Sequence, residues 1–248
     1  MPSILITDDG PIRTIRMNRP EKKNALTLAM YDAMAAAIEE AQANDAVRCL
    51  LIAGGASAFC AGNDLNDFVA MVQKPEPGAP ILRFLHALAR NEKPIVAALS
   101  GAAVGVGTTM LLHCDHVVAA DDAILSTPFV SLGLLPEAAS SLIAPRLMGH
   151  VRAFSLLVMG RPLTAGEAKA AGIVNTVVVA DELEQTARAA ADQIAALPAE
   201  SVRIARQLIH GSADEVVARI DQEAAAFRER LKSPEARAAF AAFLGGKR

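Results

Sequence analysis

A chain of 248 residues, 52% hydrophobic and 21% charged, is long enough to bury a substantial core and too apolar to be a disordered, solvated chain. Its net charge of −3 gives no electrostatic reason to expect nucleic acid or an anionic membrane as the main partner. Cys49, Cys60 and Cys114 cannot all pair within the chain and show no C-x-x-C spacing, so they read as reduced thiols of a cytoplasmic protein.

The N-terminal residues, from Met1 to Asp9, lack the basic start and apolar run of a signal peptide. The apolar stretch from Ala97 to Cys114 is broken by Ser100, several glycines and His113, so no membrane span is expected. The C-terminal Gly-Gly-Lys-Arg is not a peroxisomal tripeptide.

Along the chain, Ile12 to Met17 alternates apolar and basic residues, as a half-buried strand does. Thr27 to Ala43 places Met30, Met34, Ala37, Ile38 and Ala41 on one helical face. Cys49 to Ala53 is a short apolar run ending at Gly54-Gly55, which predicts a buried strand and a turn; Pro94 to Leu99 repeats the pattern before Gly101. Gln73 to Pro80, with three prolines and a glycine, predicts a loop that could cover a site. Thr164-x-x-Glu167 opens a short helix with a capping box, Gly172 closes it, and Ile173 to Val179 predicts a last strand. Start signals at Asp181-x-x-Glu184, Ser212-x-x-Glu215 and Ser233-Pro234-Glu235 predict a helical remainder. Strands separated by helices argue for an α/β core with mostly parallel pairing. A boundary near residue 190 divides a core, 1–190, from a helical tail, 191–248, expected to pack on its own core or to serve oligomerisation.

Three turns carry candidate chemistry. In Ala58-Phe59-Cys60-Ala61-Gly62-Asn63-Asp64-Leu65, a glycine lets the chain turn sharply and a helix start leaves N–H groups unpaired. Such donors can hold an anionic oxygen; the competing reading is an ordinary turn with Asp64 as N-cap. Ser100 to Thr109 has the same design and opens a helix through Met110, Leu111 and Leu112. It lacks the third glycine of a dinucleotide fingerprint and the Lys-Ser/Thr of a P-loop, and close helix–strand packing would also account for it. In Gly133 to Ser141, Pro136 fits the first helical position and places Glu137 in the first turn, where the helix dipole alone would favour a carboxylate. His113 and His116 have no partners that complete a metal site. Cys60 reads as a small buried thiol rather than a nucleophile, and no Gly-x-Ser-x-Gly elbow supports a serine hydrolase.

Taken in order, these segments resemble the crotonase superfamily, the enoyl-CoA hydratases and isomerases. The likeness runs from Arg19-Pro20-Glu21-Lys22-Lys23-Asn24-Ala25-Leu26 through Phe59 to Asp64 and Gly101 to Asp115, and ends with Leu163 to Ala168 and Gly172-Ile173-Val174. The resemblance implies a spiral of ββα units with a helical C-terminal region, assembled as a homotrimer or dimer of trimers. It implies an acyl-CoA thioester substrate, with coenzyme A part of that substrate and no separate cofactor or metal. The N–H groups of Asn63 and Val106 would form an oxyanion hole. Ala61, Gly62, Asp64, Leu65 and Gly105 would line the acyl-CoA site, with Lys23 and Ala25 near the CoA moiety.

Within that resemblance, the hydratases use one glutamate after the second glycine turn and another in a Pro-Glu pair before Gly133. Here those positions hold Thr109 and Phe129, neither of which can act as a carboxylate. The stretch from Thr127 to Ser141 resembles the peroxisomal-type Δ3,Δ2-enoyl-CoA isomerases, in which a single glutamate follows the Gly-x-x-Pro element. That residue is Glu137, expected to be the one base, its pKa raised by apolar neighbours Phe129, Leu134 and Leu135. The alternatives are a hydratase or another enolate-forming enzyme using Glu137 with water or with Asp64, and a non-catalytic acyl-CoA or RNA-binding relative. The near-neutral charge argues against RNA.

Overall fold

The computed structural model describes residues 2–55, 58–64, 67 and 79–244. Strands β1 (Ile4–Asp9) and β2 (Ile12–Met17) lead into α1 (Leu28–Ala43), β3 (Cys49–Ala53) and β4 (Ala58–Cys60). Then come α2 (Ala79–Arg90), β5 (Ile95–Leu99), β6 (Ala102–Val104) and α3 (Val106–Thr109), which continues as a 3-10 turn, Met110–His113. β7 (His116–Ala120) and β8 (Ile124–Ser126) precede α4 (Ser140–Met148) and α5 (His150–Leu157). The chain continues through β9 (Leu163–Thr164), α6 (Ala165–Ala170), β10 (Thr176–Val178), α7 (Leu183–Ala195), α8 (Ala199–His210), α9 (Ala213–Leu231) and α10 (Pro234–Leu244).

Among the described residues two sheets form, one ordered β1-β2-β3-β5-β7-β10 and the other β4-β6-β8-β9. The pairs β3–β4, β5–β6 and β7–β8 each put their first strand in the larger sheet and their second in the smaller one, so the chain advances as a spiral of ββα units. Pairing is parallel throughout except β1 with β2 and β8 with β9.

The continuous apolar runs follow from burial on both faces. In β3, Leu50 and Ile52 point toward α1 and α2, while Cys49, Leu51 and Ala53 point the other way and meet α7. That helix presents Leu183, Ala187, Ala191 and Ala195, a stripe at four-residue spacing whose small side chains let it lie close on the sheet. Residue 190 falls within α7. The helices after it include α9, which packs on α2 and links to it through His86 Nε2 and Asp221 Oδ1 at 2.8 Å.

Several elements differ from the sequence expectation. Ala79 and Pro80 open α2 rather than closing a loop, and 73–78 lie outside the described residues. The last strand is shortened to Thr176–Val178. Asp181 lies in a 3-10 turn, and α7 begins at Leu183 without a side-chain cap. The caps at Thr164 and Ser212 form as expected. Arg13 is buried rather than alternating out to solvent, because Asp8 takes its guanidinium at 2.7 and 2.8 Å and the Ala37 carbonyl accepts a further bond. Among the described residues no helix is long and apolar enough to cross a membrane.

The two glycine turns pack directly on each other. A Cβ at Gly107 would stand 2.5 Å from the Cys60 carbonyl oxygen and 2.9 Å from the Cys60 Cβ, both on backbone-anchored atoms that cannot yield. Gly107→Ala is therefore expected to destabilise the protein by about 1–3 kcal/mol. Gly166→Ala, in α6 with nothing within 4 Å of the new atom, should be neutral or slightly stabilising. Thermal unfolding of the two variants checks this; equal effects would contradict the packing described.

Candidate active site

The Asn63 turn is held against the Arg19–Leu26 segment by backbone bonds. Ala61 N–H donates to the Lys23 carbonyl at 3.0 Å, Leu26 N–H to the Gly62 carbonyl at 2.8 Å, and Asp64 N–H to the Leu26 carbonyl at 2.8 Å. In such a parallel bridge the flanking peptides carry the bonds, so the N–H of Asn63 itself faces the opposite side. Asn24 ties the same segment to β4: its buried amide donates to the Ala58 and Phe59 carbonyls at 2.9 and 3.2 Å.

Val106 begins α3, so its N–H has no carbonyl a turn earlier to donate to. Gly105 before it has φ 57 and ψ −118, a backbone state that side chains disfavour. This turn lets the Gly105 carbonyl accept from both Thr108 and Thr109 while its N–H donates to Ser126. The predicted helix through Leu112 is a short α-turn that tightens to 3-10 from Met110.

Thr109, fully buried three residues after Val106, donates its hydroxyl to Glu137 Oε1 at 2.5 Å. Glu137 is thus anchored to the residue that ends the short helix Val106 begins. Glu137 does not sit in the first turn of a helix as expected from Pro136. Helix α4 starts only at Ser140, and Ala138 and Ala139 between them have left-handed backbone, φ 61 and 54. Each left-handed alanine costs roughly 1 kcal/mol or more. Glu137 therefore lies outside the first turn of α4, and the helix-dipole reading does not account for it.

Burial pushes the Glu137 carboxyl up to about 7; the Thr109 hydroxyl opposes this, and the nearby Glu223 charge adds to it. Glu137 is half-buried, so its carboxyl is only partly screened from solvent. Tyr31 is fully buried and its hydroxyl donates to Asn63 Oδ1 at 2.6 Å. Burial holds the Tyr31 hydroxyl well above its ordinary pKa, with the Glu137 charge contributing, and the Cys60 thiol is pushed up to about 12 for the same two reasons. Both groups are neutral at pH 7, and both sense the same carboxylate. Asn63, Val106 and Glu137 are therefore linked through Tyr31 and Thr109.

Asp64 is committed elsewhere. Its Oδ2 accepts Arg19 Nη1 at 2.7 Å and its Oδ1 accepts the Asp67 N–H at 3.4 Å, as an N-cap would. Lys23 is exposed and Ala25 half-buried beside this turn, and Leu65 lies outside the described residues. Cavities of about 580 and 510 Å³ beneath α8 are not lined by Asn63, Val106 or Glu137, and the former has Arg203 and Arg206 in its wall, already paired with Glu200 and Asp115. Among the described residues no cluster suited to a metal ion occurs. Sequence reasoning missed Tyr31, which is the chain's one tyrosine, and Asn24, which lay inside a recognised motif. It also missed Glu223, which no local signal marks.

A family model described as enoyl-CoA hydratase/isomerase matches residues 8–247. The chain is 37% identical over 225 residues to enoyl-CoA delta isomerase 2 of Rattus norvegicus, an alignment covering 89% of this chain and 57% of that one. The chain thus spans little more than half the length of that relative. It is 33% identical over 218 residues to 1,2-epoxyphenylacetyl-CoA isomerase of Escherichia coli, covering 86% of this chain and 83% of that protein. A crystal structure of an enoyl-CoA hydratase/isomerase from Pseudoalteromonas atlantica superposes with a TM-score of 0.94 at 39% identity, covering 100% of this chain and 98% of that one.

The raised carboxyl has a thermodynamic consequence. From the ordinary value of 4.5 up to about 7, the native chain keeps a proton that the unfolded chain releases, so stability falls as pH rises through that window. The loss approaches about 3 kcal/mol above it. Glu137→Gln cannot ionise, so near pH 8 it should melt on the order of 5–10 °C above the wild type, with the gap closing toward about pH 4.5. A gap independent of pH would contradict the assignment.

Proposed function

The chain belongs to the enoyl-CoA hydratase/isomerase family, and from that premise we propose that it isomerises 3-enoyl-CoA to trans-2-enoyl-CoA with Glu137 as the single base. The observation that carries this reading is the hydrogen bond between Glu137 and Thr109. A threonine stands where a hydratase would need its second carboxylate, and its hydroxyl is bonded to Glu137.

Ionised Glu137 takes a proton from C2 of the 3-enoyl thioester. The electron pair moves into the thioester, and the carbonyl oxygen gains the negative charge. The N–H groups of Asn63 and Val106 receive that oxygen; in other enzymes one such donor is worth on the order of 3 kcal/mol. Because Thr109 holds Oε1, Oε2 is left to carry the proton. The same proton is returned at C4, the double bond shifts from C3–C4 to C2–C3, and Glu137 is ionised again. A carboxyl near 7 can both accept and release that proton at neutral pH. No redox group or metal enters this balance, and coenzyme A is the carrier of the substrate.

A hydratase would need a second carboxylate for water, and the pairing of Asp64 with Arg19 argues against that role for Asp64. Enclosure of the substrate backbone by Ala61, Gly62, Asp64 and Gly105, with Lys23 and Ala25 toward the CoA moiety, belongs to the same reading. Exposed apolar side chains on α5 and α8, among them Val151, Phe154, Leu208 and Ile209, support assembly as a trimer or a pair of trimers.

Offered 3-enoyl-CoA and 2-enoyl-CoA separately, the wild type should isomerise the first and hydrate the second slowly or not at all. Glu137→Gln should lower the isomerisation kcat by about 10²- to 10⁴-fold. Rapid hydration of 2-enoyl-CoA, or an unimpaired variant, would overturn the proposal.

A further inference from the structure

The left-handed turn after Glu137 is gripped from both sides by buried groups outside the proton transfer itself. On one side the Ala138 carbonyl lies 2.8 Å from His113 Nε2. A carbonyl only accepts, so Nε2 carries the proton, and burial holds the imidazole pKa down to about 4, leaving it neutral at pH 7. On the other side stands Glu223, buried in the middle of α9. Its Oε2 accepts the Ala139 N–H at 2.7 Å, and its Oε1 accepts the Ser141 N–H at 3.0 Å and the Ser141 hydroxyl at 2.5 Å. Arg219, one turn earlier on α9, donates to the same Ser141 oxygen at 3.1 Å.

The start of α4 has no side-chain cap of its own. A local serine or aspartate would be the ordinary way to satisfy those N–H groups. Here a carboxylate 84 residues further along the chain does it, and burying a charge that far from water is tolerable only when its oxygens are well bonded. The rest of the loop is backed by the same tail. Arg230 donates to the Gly133 carbonyl at 3.3 Å, and α10 brings the Ala236 backbone N to 2.8 Å from where a Gly133 Cβ would stand.

We propose that Glu223 is a positioning residue for Glu137: by bonding the N–H groups of Ala139 and Ser141, opposite His113 on the Ala138 carbonyl, it holds the left-handed turn that aims the carboxylate. This rests on the reading of Glu137 as the base. A cap that merely stabilised α4 would lower the melting temperature and leave turnover per folded molecule unchanged. A positioning group lowers turnover in molecules that remain folded. It leaves KM nearly unchanged, since the Asn63 and Val106 turns are not touched.

The test is exchange of the C2 protons of butanoyl-CoA into D2O, followed by NMR, for the wild type, Glu137→Gln, Glu223→Ala and Glu223→Asp. Circular dichroism and light scattering fix the folded fraction. Glu223→Ala should slow exchange at saturating butanoyl-CoA by about 10- to 100-fold, with the half-saturating concentration within about twofold of wild type. Wild-type exchange in folded Glu223→Ala would overturn the proposal. If that variant does not fold, Glu223→Asp decides. It keeps the charge but is one methylene short, and it should slow exchange by at least about fivefold; an unchanged rate would overturn the proposal. Wild-type exchange in Glu137→Gln would instead remove the base reading on which the proposal stands. Loss of exchange in Glu137→Gln with normal exchange in Glu223→Ala would remove the positioning role alone.

Discussion

A half-buried carboxyl group given one hydroxyl donor is the constraint on which much of this structure turns. Burial raises the pKa of Glu137, and the Thr109 hydroxyl opposes that rise. The bond from Thr109 works against the burial and leaves the group near neutrality. Thr109 is three residues from Val106, so one short helix both bonds the carboxyl and carries an N–H with no carbonyl a turn earlier to bond. The Cys60 backbone against Gly107 couples that helix to the turn that carries Asn63.

The cost of the arrangement is spread over distant parts of the chain. Two consecutive alanines adopt a backbone that alanine disfavours, and they do so between a neutral buried histidine and a buried carboxylate from α9. A charged Glu223 also raises the pKa of Glu137. The tail helices thus hold the backbone of a loop they do not contain. Tyr31 makes the corresponding contact for the other turn through the side chain of Asn63.

Much of the scaffold was legible because its signals are local. Cys49–Ala53 forms the expected strand, and Thr164 and Ser212 cap the expected helices, since apolar runs and capping hydroxyls act within a few residues. The ordered motifs likewise singled out Asn63, Val106 and Glu137; the structure bonds Tyr31 to Asn63 and Thr109 to Glu137. What was hidden depends on contacts across long stretches of chain. Pro136 reads as a helix start, but the bonds offered by His113 and Glu223 hold the next residues out of the helix until Ser140. Arg13 reads as solvent-facing, but Asp8 across the hairpin and the Ala37 carbonyl allow it to be buried. Glu223 sits in a run of charged and small residues that gives no hint of its inward orientation.

Under the proposed function, one carboxylate both removes and returns the proton. Isomerisation of 3-enoyl-CoA carrying deuterium at C2 tests it directly, with the product examined for label at C4. A single base returns part of the deuterium it removed, so a measurable share of the product should carry that label. Hydrogen at C4 drawn wholly from solvent in every turnover would contradict direct return of the abstracted proton by Glu137.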